Sequence, residues 1–298
     1  MEVRVLRYFL AVVREESITR AAEVLHVTQP TLSRQLVQLE EEVGVKLFER
    51  GPRKIVLTSE GTLLRRRASE IIALVDKTAR ELTEAEQELD GKISIGCGEL
   101  ASMELLAELV ASFSKKYPLV QYELRTATAD KVKERMDRGL VDIGLLLEPI
   151  SIDKYDFIRL SVRERWCVLM RPDDPLAGQA FVTAHDLKGQ PLILPHRMNI
   201  QHELASWFGD SFEQLRIVFE SDLTTNGAIM VQKGLAYSVT LEGAVPFWDK
   251  NKIACRPLAP ELSATSVLAW KKQQPFSLAA TKFIEHMKCF LSMKQQKN

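Results

Sequence analysis

The stretch from Thr62 to Asp90 contains neither proline nor glycine. Its apolar positions form two series spaced by seven residues: Ala68, Val75, Leu82 and Leu89, and, four residues earlier, Leu64, Ile71, Thr78 and Ala85. This pattern with charged flanks predicts one long helix that pairs with another helix, and Gly91 predicts where it stops. The alternative is a helix packed on its own domain. Pairing is favoured because a differently patterned segment begins directly after Gly91.

The segment before this helix contains three further helices. The first has an apolar stripe at helical spacing, made by Leu6, Phe9, Leu10 and Val13. Ser17 is a good N-cap for a second, short helix through Ala21, Ala22 and Leu25. After a break at His26-Val27, the third helix begins at Thr28 or one residue later, because Thr28 favours the cap and Pro30 favours the first helical position. Gly44 predicts its end.

The third helix has polar side chains where a core helix does not need them. Its inward positions are Leu32, Leu36, Leu39 and Val43, and its other positions are Gln29, Thr31, Ser33, Arg34, Gln35 and Gln38. Gln and Arg can make two hydrogen bonds to base edges, and Ser, Thr and N-terminal amides can hold phosphates. Two helices joined by a short turn with this N-terminal set predict a reader of the DNA major groove. The alternative is a solvated face on a core helix.

A basic hairpin follows. "LFERGPRKIVLT" predicts two short strands around Gly51-Pro52, with three cations near the tip, Arg50, Arg53 and Lys54. Such a wing can hold phosphates beside the groove, although the same cations are also compatible with simple surface solubility. The helix-turn-helix and the basic wing together favour DNA binding more than either does alone.

Residues 9 to 61 resemble the winged helix-turn-helix of LysR-type transcriptional regulators. The matching positions are Phe9, Ser17, Ala21-Ala22, Leu25, Gln29-Pro30, Ser33, Leu39-Glu40, Gly44, Leu47-Phe48, Arg50, Arg53, Leu57-Thr58 and Gly61. By position, the resemblance implies base contacts from Gln29, Pro30, Ser33 and Arg34, and phosphate contacts from Thr31, Arg50 and Arg53. It also implies that the long helix is a dimerising linker.

After Gly91 strands alternate with helices, which predicts parallel α/β sheets. A first set comprises "KISIGCG", a helix over residues 100 to 116, "VQYELRTA", "DKVKERMDRG" and "VDIGLLL". A second set comprises "WCVLM", "PLILP", a helix near residues 201 to 208, "RIVFES", "TNGAIMVQKG" and "AYSVTL", before "SVLAW" and a final helix over residues 277 to 292. Two such lobes with a cleft between them are the architecture of periplasmic-type binding domains.

In open α/β sheets ligands bind outside the carboxyl ends of the strands, where helix N-termini offer N–H groups to an anion. Thr224 lies at one such end. The LysR resemblance extends here through Phe113, Tyr117-Pro118, Gly139-Leu140-Val141-Asp142-Ile143, Asp174-Pro175-Leu176 and Gly234-Leu235. It implies effector contacts from Thr128 and from the loop of residues 196 to 201, with His196 and Asn199.

The chain departs from the family pattern at the first helix of this domain. Leu100 stands where the family has Ser or Thr, with Ser102 two residues on, and Ala107 stands where proline is common. Leu100 and Ser102 are nevertheless taken as candidate effector contacts. These departures predict an effector different from the typical small carboxylate.

Other chemistries find little support. The four cysteines, Cys97, Cys167, Cys255 and Cys289, lie far apart, which predicts ordinary reduced thiols rather than a disulfide framework or a zinc site. His196, His202 and Glu203 lack a further ligand at metal-site spacing, and no catalytic triad or cofactor motif is visible. The chain has no apolar run long enough to span a membrane and no signal peptide, which predicts a cytoplasmic location.

The predicted fold class is multidomain α and α/β. Its parts are a winged helix-turn-helix over residues 1 to 58, a linker helix over 59 to 90, and a two-lobed effector domain resembling periplasmic binding proteins over 91 to 298. Lobe I covers about 91 to 162 and 267 to 298, and lobe II about 163 to 266.

The predicted function is a bacterial, sequence-specific transcriptional regulator controlled by a small molecule in the interlobe cleft, without metal or other cofactor. Its predicted partners are a double-stranded DNA operator, further copies in a homodimer or homotetramer, and RNA polymerase if it activates. Two alternatives are a solute-binding protein or enzyme on the same scaffold, and a DNA-packaging protein without effector.

Overall fold

The computed structural model describes residues 1–50, 55–83 and 89–295. The chain forms two compact units, residues 1–83 and 84–298. The predicted hairpin tip with Gly51, Pro52, Arg53 and Lys54 lies outside the described residues, and so does Ala85 of the predicted linker.

The first unit is a winged helix-turn-helix followed by a long helix, as predicted. Its elements are α1 (Val3–Glu15), α2 (Ile18–Val24), α3 (Gln29–Val43), β1 (Phe48–Arg50), β2 (Ile55–Leu57) and α4 (Ser59–Thr83). β1 and β2 pair antiparallel. Ser17 caps α2 through its side chain, and α3 begins at Gln29 with Thr28 at the cap position. Gly44 ends α3 in the left-handed region at φ 74°.

Side chains from α1, α2 and α3 make the core of this unit. Phe9, Ala21 and Leu32 are fully buried. Val43 was predicted to face inward, and that prediction is wrong because 37% of its surface is exposed. Val43 is the last helical residue, and the chain turns at Gly44 before another described element covers it.

The long helix α4 uses one face to pack on its own unit. Ala68 is fully buried, and Leu64 and Ile72 pack against the same core. Arg7 of α1 also forms an ion pair with Asp76. Leu64 and Ala68, which belong to the two predicted heptad series, therefore pack on their own domain, as the alternative to helix pairing predicts.

The predicted end of the linker helix is wrong. Leu89 and Asp90 are not helical, and Gly91 is the first residue of a strand. Leu89 packs against the core of the second unit, so the chain has left any helix before Gly91.

The second unit contains two sheets. The first has five strands in the order β4-β3-β5-β13-β6, namely β3 (Gly91–Cys97), β4 (Val120–Thr126), β5 (Ile143–Leu147), β6 (Tyr155–Arg159) and β13 (Ser266–Lys271). Helices α5 (Met103–Lys116), α6 (Ala129–Asp137) and α9 (Leu278–Gln295) accompany it. We call this sheet with its helices the first lobe.

The second sheet has six strands: β7 (Glu164–Met170), β8 (Pro191–Pro195), β9 (Arg216–Ser221), β10 (Tyr237–Leu241), β11 (Ala254–Pro257) and β12 (Ser263–Ala264). Their order is β11-β7-β10-β8-β9, and β12 pairs with β7. With α7 (Met198–Phe208) and α8 (Thr224–Gln232) it makes the second lobe. Short 3₁₀ helices at Pro175–Gly178, Gly209–Gln214 and Glu242–Phe247 complete the described elements.

The predicted parallel sheets are mixed sheets. β3 runs parallel to β4 and β5, and β8 runs parallel to β9 and β10, as expected from the crossover helices. However, β13 returns from the second lobe and lies antiparallel between β5 and β6, and β7 lies antiparallel to β10 and β11. The sequence did not predict β6, β11 and β12, which have five, four and two residues and lie at or beside sheet edges. So few residues give little alternation to detect.

Two lobes with a cleft between them match the predicted effector-domain architecture. Within the described parts of the chain, no helix has the length and apolar content that crossing a membrane requires.

Candidate functional sites

The N-terminal part of α3 presents a polar edge to solvent. Gln29, Pro30, Thr31 and Arg34 are exposed and Ser33 is half-buried, while Leu32, Leu36 and Leu39 bury the opposite face. The hydroxyls of Thr28 and Thr31 lie 2.8 Å apart and bond to each other. Arg34 has no hydrogen-bond or ion-pair partner among the described residues, so its five donors are available to a ligand.

The turn between α2 and α3 depends on small residues and on one left-handed residue. Ala21 and Ala22 are buried where α2 meets its neighbours. His26 adopts φ 54°, and the N–H of Val27 donates to the carbonyl of Ala22 at 3.0 Å. This tight turn sets the direction in which α3 leaves α2.

The Glu40 carboxylate ties α3 to the start of the wing. Its Oε1 accepts from the N–H of Leu47 at 2.8 Å and of Phe48 at 3.3 Å, and Lys46 Nζ lies 2.6 Å from Oε2. Burial acts to raise the pKa of Glu40, but the hydrogen bonds from Lys46 and the two amides outweigh it and hold the pKa below its usual range. The charged carboxylate therefore positions β1 relative to α3.

Thr58 and Gly61 fix the wing to the start of α4. The Thr58 hydroxyl donates to the carbonyl of Lys46 at 2.8 Å and accepts from the N–H of Gly61 at 2.9 Å. A Cβ on Gly61 would lie 2.1 Å from the Leu47 carbonyl oxygen, so only glycine fits there. Arg50 is the last residue of β1; its side chain, like Arg53, lies outside what the structure describes.

A cleft lies between the two lobes of the second unit. Its enclosed volume is about 90 Å³. That is smaller than the roughly 300–1,000 Å³ of most small-molecule sites, so the lobes are close together here and a ligand would have to part them. Most of the lining is apolar and includes Leu100, Ala127, Leu145, Leu147, Ile193, Ile200 and Val239. Glu99, Trp166, Arg197, Asp222, Ser238 and Thr240 add polar groups.

Three of the six predicted effector contacts line this cleft: Leu100, Thr128 and Thr224. The other three do not belong to its lining. Ser102 is fully buried, and its hydroxyl lies within hydrogen-bond distance of Ser266 Oγ, at 3.0 Å. His196 is exposed with its Nδ1 2.8 Å from Glu220, and Asn199 is exposed on α7. For these three the structure offers no cleft contact, because the helix start carrying Ser102 is covered and the side chains of His196 and Asn199 are exposed outside the lining.

Arg197 was missed by the sequence reasoning, and it links the lobes. Its side chain is only 7% exposed and donates to Asp130 at 2.8 Å, to the Leu147 carbonyl at 3.0 Å and to the Pro149 carbonyl at 2.5 Å. Lys131 of the first lobe also pairs with Asp222 of the second. The partners lie far apart in sequence, so no local pattern indicates them.

The lobes also approach each other through backbone. A Cβ on Gly243 of the second lobe would lie 2.1 Å from the Ala101 nitrogen and 2.4 Å from the Leu100 carbonyl carbon of the first. The Leu100–Ala101 segment lies just before α5, so it meets the 3₁₀ helix that contains Gly243. Glycine is therefore required at position 243 for this degree of closure.

Thiol and metal chemistry gain no support from the geometry. All four cysteines are free. Burial raises the pKa of Cys97, and a hydrogen bond with Cys255, together with burial, raises that of Cys167, so both thiols are protonated at neutral pH. Among the described residues no group of three or more His, Cys, Asp and Glu side chains is arranged to hold a metal ion.

Two family models match the chain and together span most of it. Residues 3–62 match "Bacterial regulatory helix-turn-helix protein, lysR family", and residues 86–292 match "LysR substrate binding domain".

Individual proteins give the same result. The Hca operon transcriptional activator HcaR of Escherichia coli is 31% identical over 91% of this chain and 92% of its own length. The crystal structure of CbnR, a LysR family transcriptional regulator, superposes with a TM-score of 0.77 at 22% identity, covering 98% of this chain and 99% of that one. Full-length CbnR complexed with its target DNA gives 0.73 at 23% identity, covering 97% and 99%. At these identities the two structures establish the fold.

Proposed function

This chain belongs to the LysR family of bacterial transcriptional regulators, and on that premise we propose that α3 reads an operator while a small molecule in the interlobe cleft controls the outcome. Family membership accounts for both units, since one family model covers the head and the other the two-lobed domain. A transcriptional regulator is therefore favoured over an enzyme, a solute-binding protein or a DNA-packaging protein. The family uses a small-molecule effector rather than a cofactor.

The DNA contacts are assigned along the exposed edge of α3 and the wing. Base contacts come from Gln29, Pro30, Ser33 and Arg34, and phosphate contacts come from Thr31, Arg50 and Arg53. The observation that carries this assignment is that Arg34 is exposed and lacks a partner among the described residues at the start of a helix otherwise anchored by leucines. A planar guanidinium in that position can donate two parallel hydrogen bonds to a guanine edge.

The effector site is assigned to the cleft. Leu100, Thr128 and Thr224 are the sequence-predicted contacts that its geometry supports, and Ser102, His196 and Asn199 would need a different arrangement to reach a ligand. Arg197 and the pair of Lys131 with Asp222 join the lobes across this space, so a bound ligand acts on the same closure that these contacts hold.

Oligomerisation is assigned to the face of α4 that the first unit leaves open. Leu63, Ile71 and Leu74 are 53%, 36% and 43% exposed and share one side of the helix, apart from the side that packs on the core. A homodimer through this face places two α3 helices together, as a two-fold operator requires, and a homotetramer pairs two such dimers. An activating protein of this design would also contact RNA polymerase, in the bacterial cytoplasm where the chromosome lies.

Each proposed role is assigned to one of the predicted domains. Residues 1–58 read DNA, the helix that begins at residue 59 dimerises, and residues 91–298 bind the effector between lobe I (about 91–162 and 267–298) and lobe II (about 163–266). Effector binding changes lobe closure and subunit packing, and so the spacing or tilt of the paired heads. DNA and effector affinities are then reciprocally coupled by about 1–3 kcal/mol.

Replacement of Arg34 by alanine tests the reading edge. We expect Arg34→Ala to weaken specific operator binding by about 1–3 kcal/mol, because two hydrogen bonds to a base edge are lost. The matched control is Arg163→Ala, which removes the same charge from an exposed site in the second unit. Operator titrations against a scrambled duplex measure both. Equal operator affinity of the folded Arg34→Ala variant and the control would remove Arg34 from the reading set.

A further inference from the structure

The N-terminus of α8 in the cleft is already occupied by a carboxylate of the protein. Glu99 of the first lobe accepts from the N–H of Thr224, the first residue of α8, at 2.7 Å. Its other oxygen accepts from the hydroxyl of Thr225. A helix N-terminus is a site where an anionic ligand finds unpaired N–H groups and a favourable dipole. Glu99 therefore takes the position that a ligand carboxylate would otherwise use.

The N-terminus of α5 is occupied in the same way. Glu164, which is fully buried, accepts from the N–H of Ala101 at 2.7 Å and of Ser102 at 3.1 Å. The hydroxyl of Ser266 donates to the same carboxylate at 3.1 Å. These are the amides that precede α5, so a second helix start is unavailable to an anion.

The remaining charges of the cleft do not favour an anion either. Arg197 is the cation of the lining, and three of its five N–H groups donate to Asp130 and to the carbonyls of Leu147 and Pro149. Its charge is already paired with the Asp130 carboxylate, and its side chain is only 7% exposed. Glu99 and Asp222 contribute two carboxylates to the same lining, and Asp222 is paired with Lys131. A ligand carboxylate entering this space would meet like charge in a partly desolvated site, where repulsion is stronger than in water.

One residue of the lining carries a buried polar atom that has no partner in the described parts of the chain. Trp166 is 2% exposed, and its Nε1 is the one buried side-chain nitrogen or oxygen among the described residues without a hydrogen bond. Indole nitrogen can only donate, so it needs an acceptor. An ammonium ligand offers only donors and would leave Trp166 unpaired, whereas a carbonyl, ether or hydroxyl oxygen would satisfy it.

We propose that the effector of this cleft is an uncharged molecule with an apolar body and an oxygen acceptor that takes the Nε1–H of Trp166. This inference rests on the proposed function, since it names the class of ligand that the effector site selects. Glu99 supplies the discrimination against carboxylates, and Trp166 supplies the hydrogen bond that a hydrocarbon of the same shape cannot use.

Matched ligand pairs test the proposal on the full chain. The probes are benzamide against benzoate and butyramide against butyrate, with benzylamine as the cation, and binding is measured by ligand-observed NMR at neutral pH. We expect each amide to bind at least about tenfold more tightly than its carboxylate, because the carboxylate meets Glu99. Carboxylates or benzylamine that bind as tightly as the amides would overturn the proposal, and so would a lack of binding by both amides.

Two variants separate the two roles. Glu99→Gln keeps the size of the side chain and removes its charge, so we expect carboxylate affinity to rise towards that of the amide. Trp166→Phe keeps an aromatic ring and removes the donor, so we expect amide affinity to fall about tenfold. Trp207→Phe is the matched control, because its indole donates to the Pro260 carbonyl at 2.7 Å outside the cleft.

If Glu99→Gln keeps the same preference for amides over carboxylates, the charge of Glu99 does not exclude carboxylates and the proposal is wrong. This result is decisive even if circular dichroism shows that Trp166→Phe is unstable. Operator binding by the wild-type chain, measured separately with the Arg34→Ala variant, distinguishes a wrong ligand class from a wrong function.

Discussion

At the scale of single residues, Glu40 shows how one side chain can join two elements. It lies in the second half of α3, yet its bonds are to Lys46 and to the amides of Leu47 and Phe48, at the start of the wing. Because the pKa of this carboxyl is held below its usual range, the contact depends on the charged form. The position of the wing beside the recognition helix is therefore sensitive to acid.

Glu40→Gln is expected to loosen the wing at neutral pH. The amide keeps the size but loses the charge-assisted bonds, so we expect the exchange protection of the Leu47 and Phe48 amides to fall by about 1 kcal/mol, or about fivefold. A folded-state pKa below the unfolded one gives stability that is present above the unfolded pKa and lost as pH falls through the folded pKa. In hydrogen-exchange measurements corrected for intrinsic rates, the wild type should therefore approach the variant as the solution is acidified.

The matched control for this prediction is Glu41→Gln at the exposed neighbouring position. It removes the same charge without contacting the wing. Equal loss of wing protection in the two variants would show that Glu40 acts through net charge of the helix and not through its bonds.

At the scale of elements, α4 divides its apolar residues between two faces. One face, with Leu64, Ala68 and Ile72, packs on the head, and the other, with Leu63, Ile71 and Leu74, is exposed. The heptad pattern indicated an interaction helix but merged these faces, since Ala68 belongs to one and Ile71 to the other. We therefore expect the pairing surface on the exposed face with Leu63, Ile71 and Leu74, which lies beside the face that contains Leu64 and Ala68.

Charged substitutions on that strip test the assignment. We expect Ile71→Asp combined with Leu74→Asp to give monomers in sedimentation experiments, because four carboxylates would be buried across a two-fold helix pair. Ser69→Asp combined with Ala73→Asp is the control, since it adds the same charge at exposed positions on a third side of α4. Oligomers of equal size in both double variants would exclude this face.

Local features of the sequence predicted the elements of the head well. The cap at Ser17, the stop at Gly44 and the leucine spacing of α3 each depend on a few neighbouring residues, which is the information that a sequence pattern contains. Val43 and the proposed stop at Gly91 failed because their outcome depends on what packs nearby, at the end of α3 and at Leu89 on the second unit. The antiparallel β13 failed for the same reason, since its neighbours come from distant parts of the chain.

The cleft was less predictable than the head. Its outline followed from the order of strands and helices, and Leu100, Thr128 and Thr224 do line it. Ser102 was expected to face a ligand, but the buried carboxylate of Glu164 covers its amide. No pattern within a few residues links these two positions, nor Arg197 with Asp130, because both contacts exist only once the lobes have formed.

At the scale of the whole molecule, lobe closure is limited by the approach of Gly243 to Leu100 and Ala101. We expect Gly243→Ala to destabilise the second unit by about 1–3 kcal/mol, because a methyl group there meets backbone atoms that cannot move aside as a side chain can. Urea denaturation followed by circular dichroism measures this.

Gly178→Ala is the matched control for closure. It sits in a 3₁₀ helix of the second lobe, and a Cβ there meets nothing within 4 Å. We expect it to be neutral or slightly stabilising, because alanine restricts the unfolded chain more than glycine does. Equal stability of the two alanine variants would show that the lobes can separate at Gly243 without cost.

The burial of Trp166 in the cleft has a practical optical consequence. All four tryptophans of the chain, at positions 166, 207, 248 and 270, belong to the second unit, and the DNA-reading head has none. Emission from the indoles therefore reports on the sensor alone, with Trp166 as the chromophore that a ligand would touch. Excitation at the long-wavelength edge of the absorption spectrum therefore distinguishes two events. Binding of a ligand in the cleft shifts the emission wavelength of the tryptophans. Binding of DNA to the first unit leaves that wavelength unchanged unless it also changes the structure of the second unit.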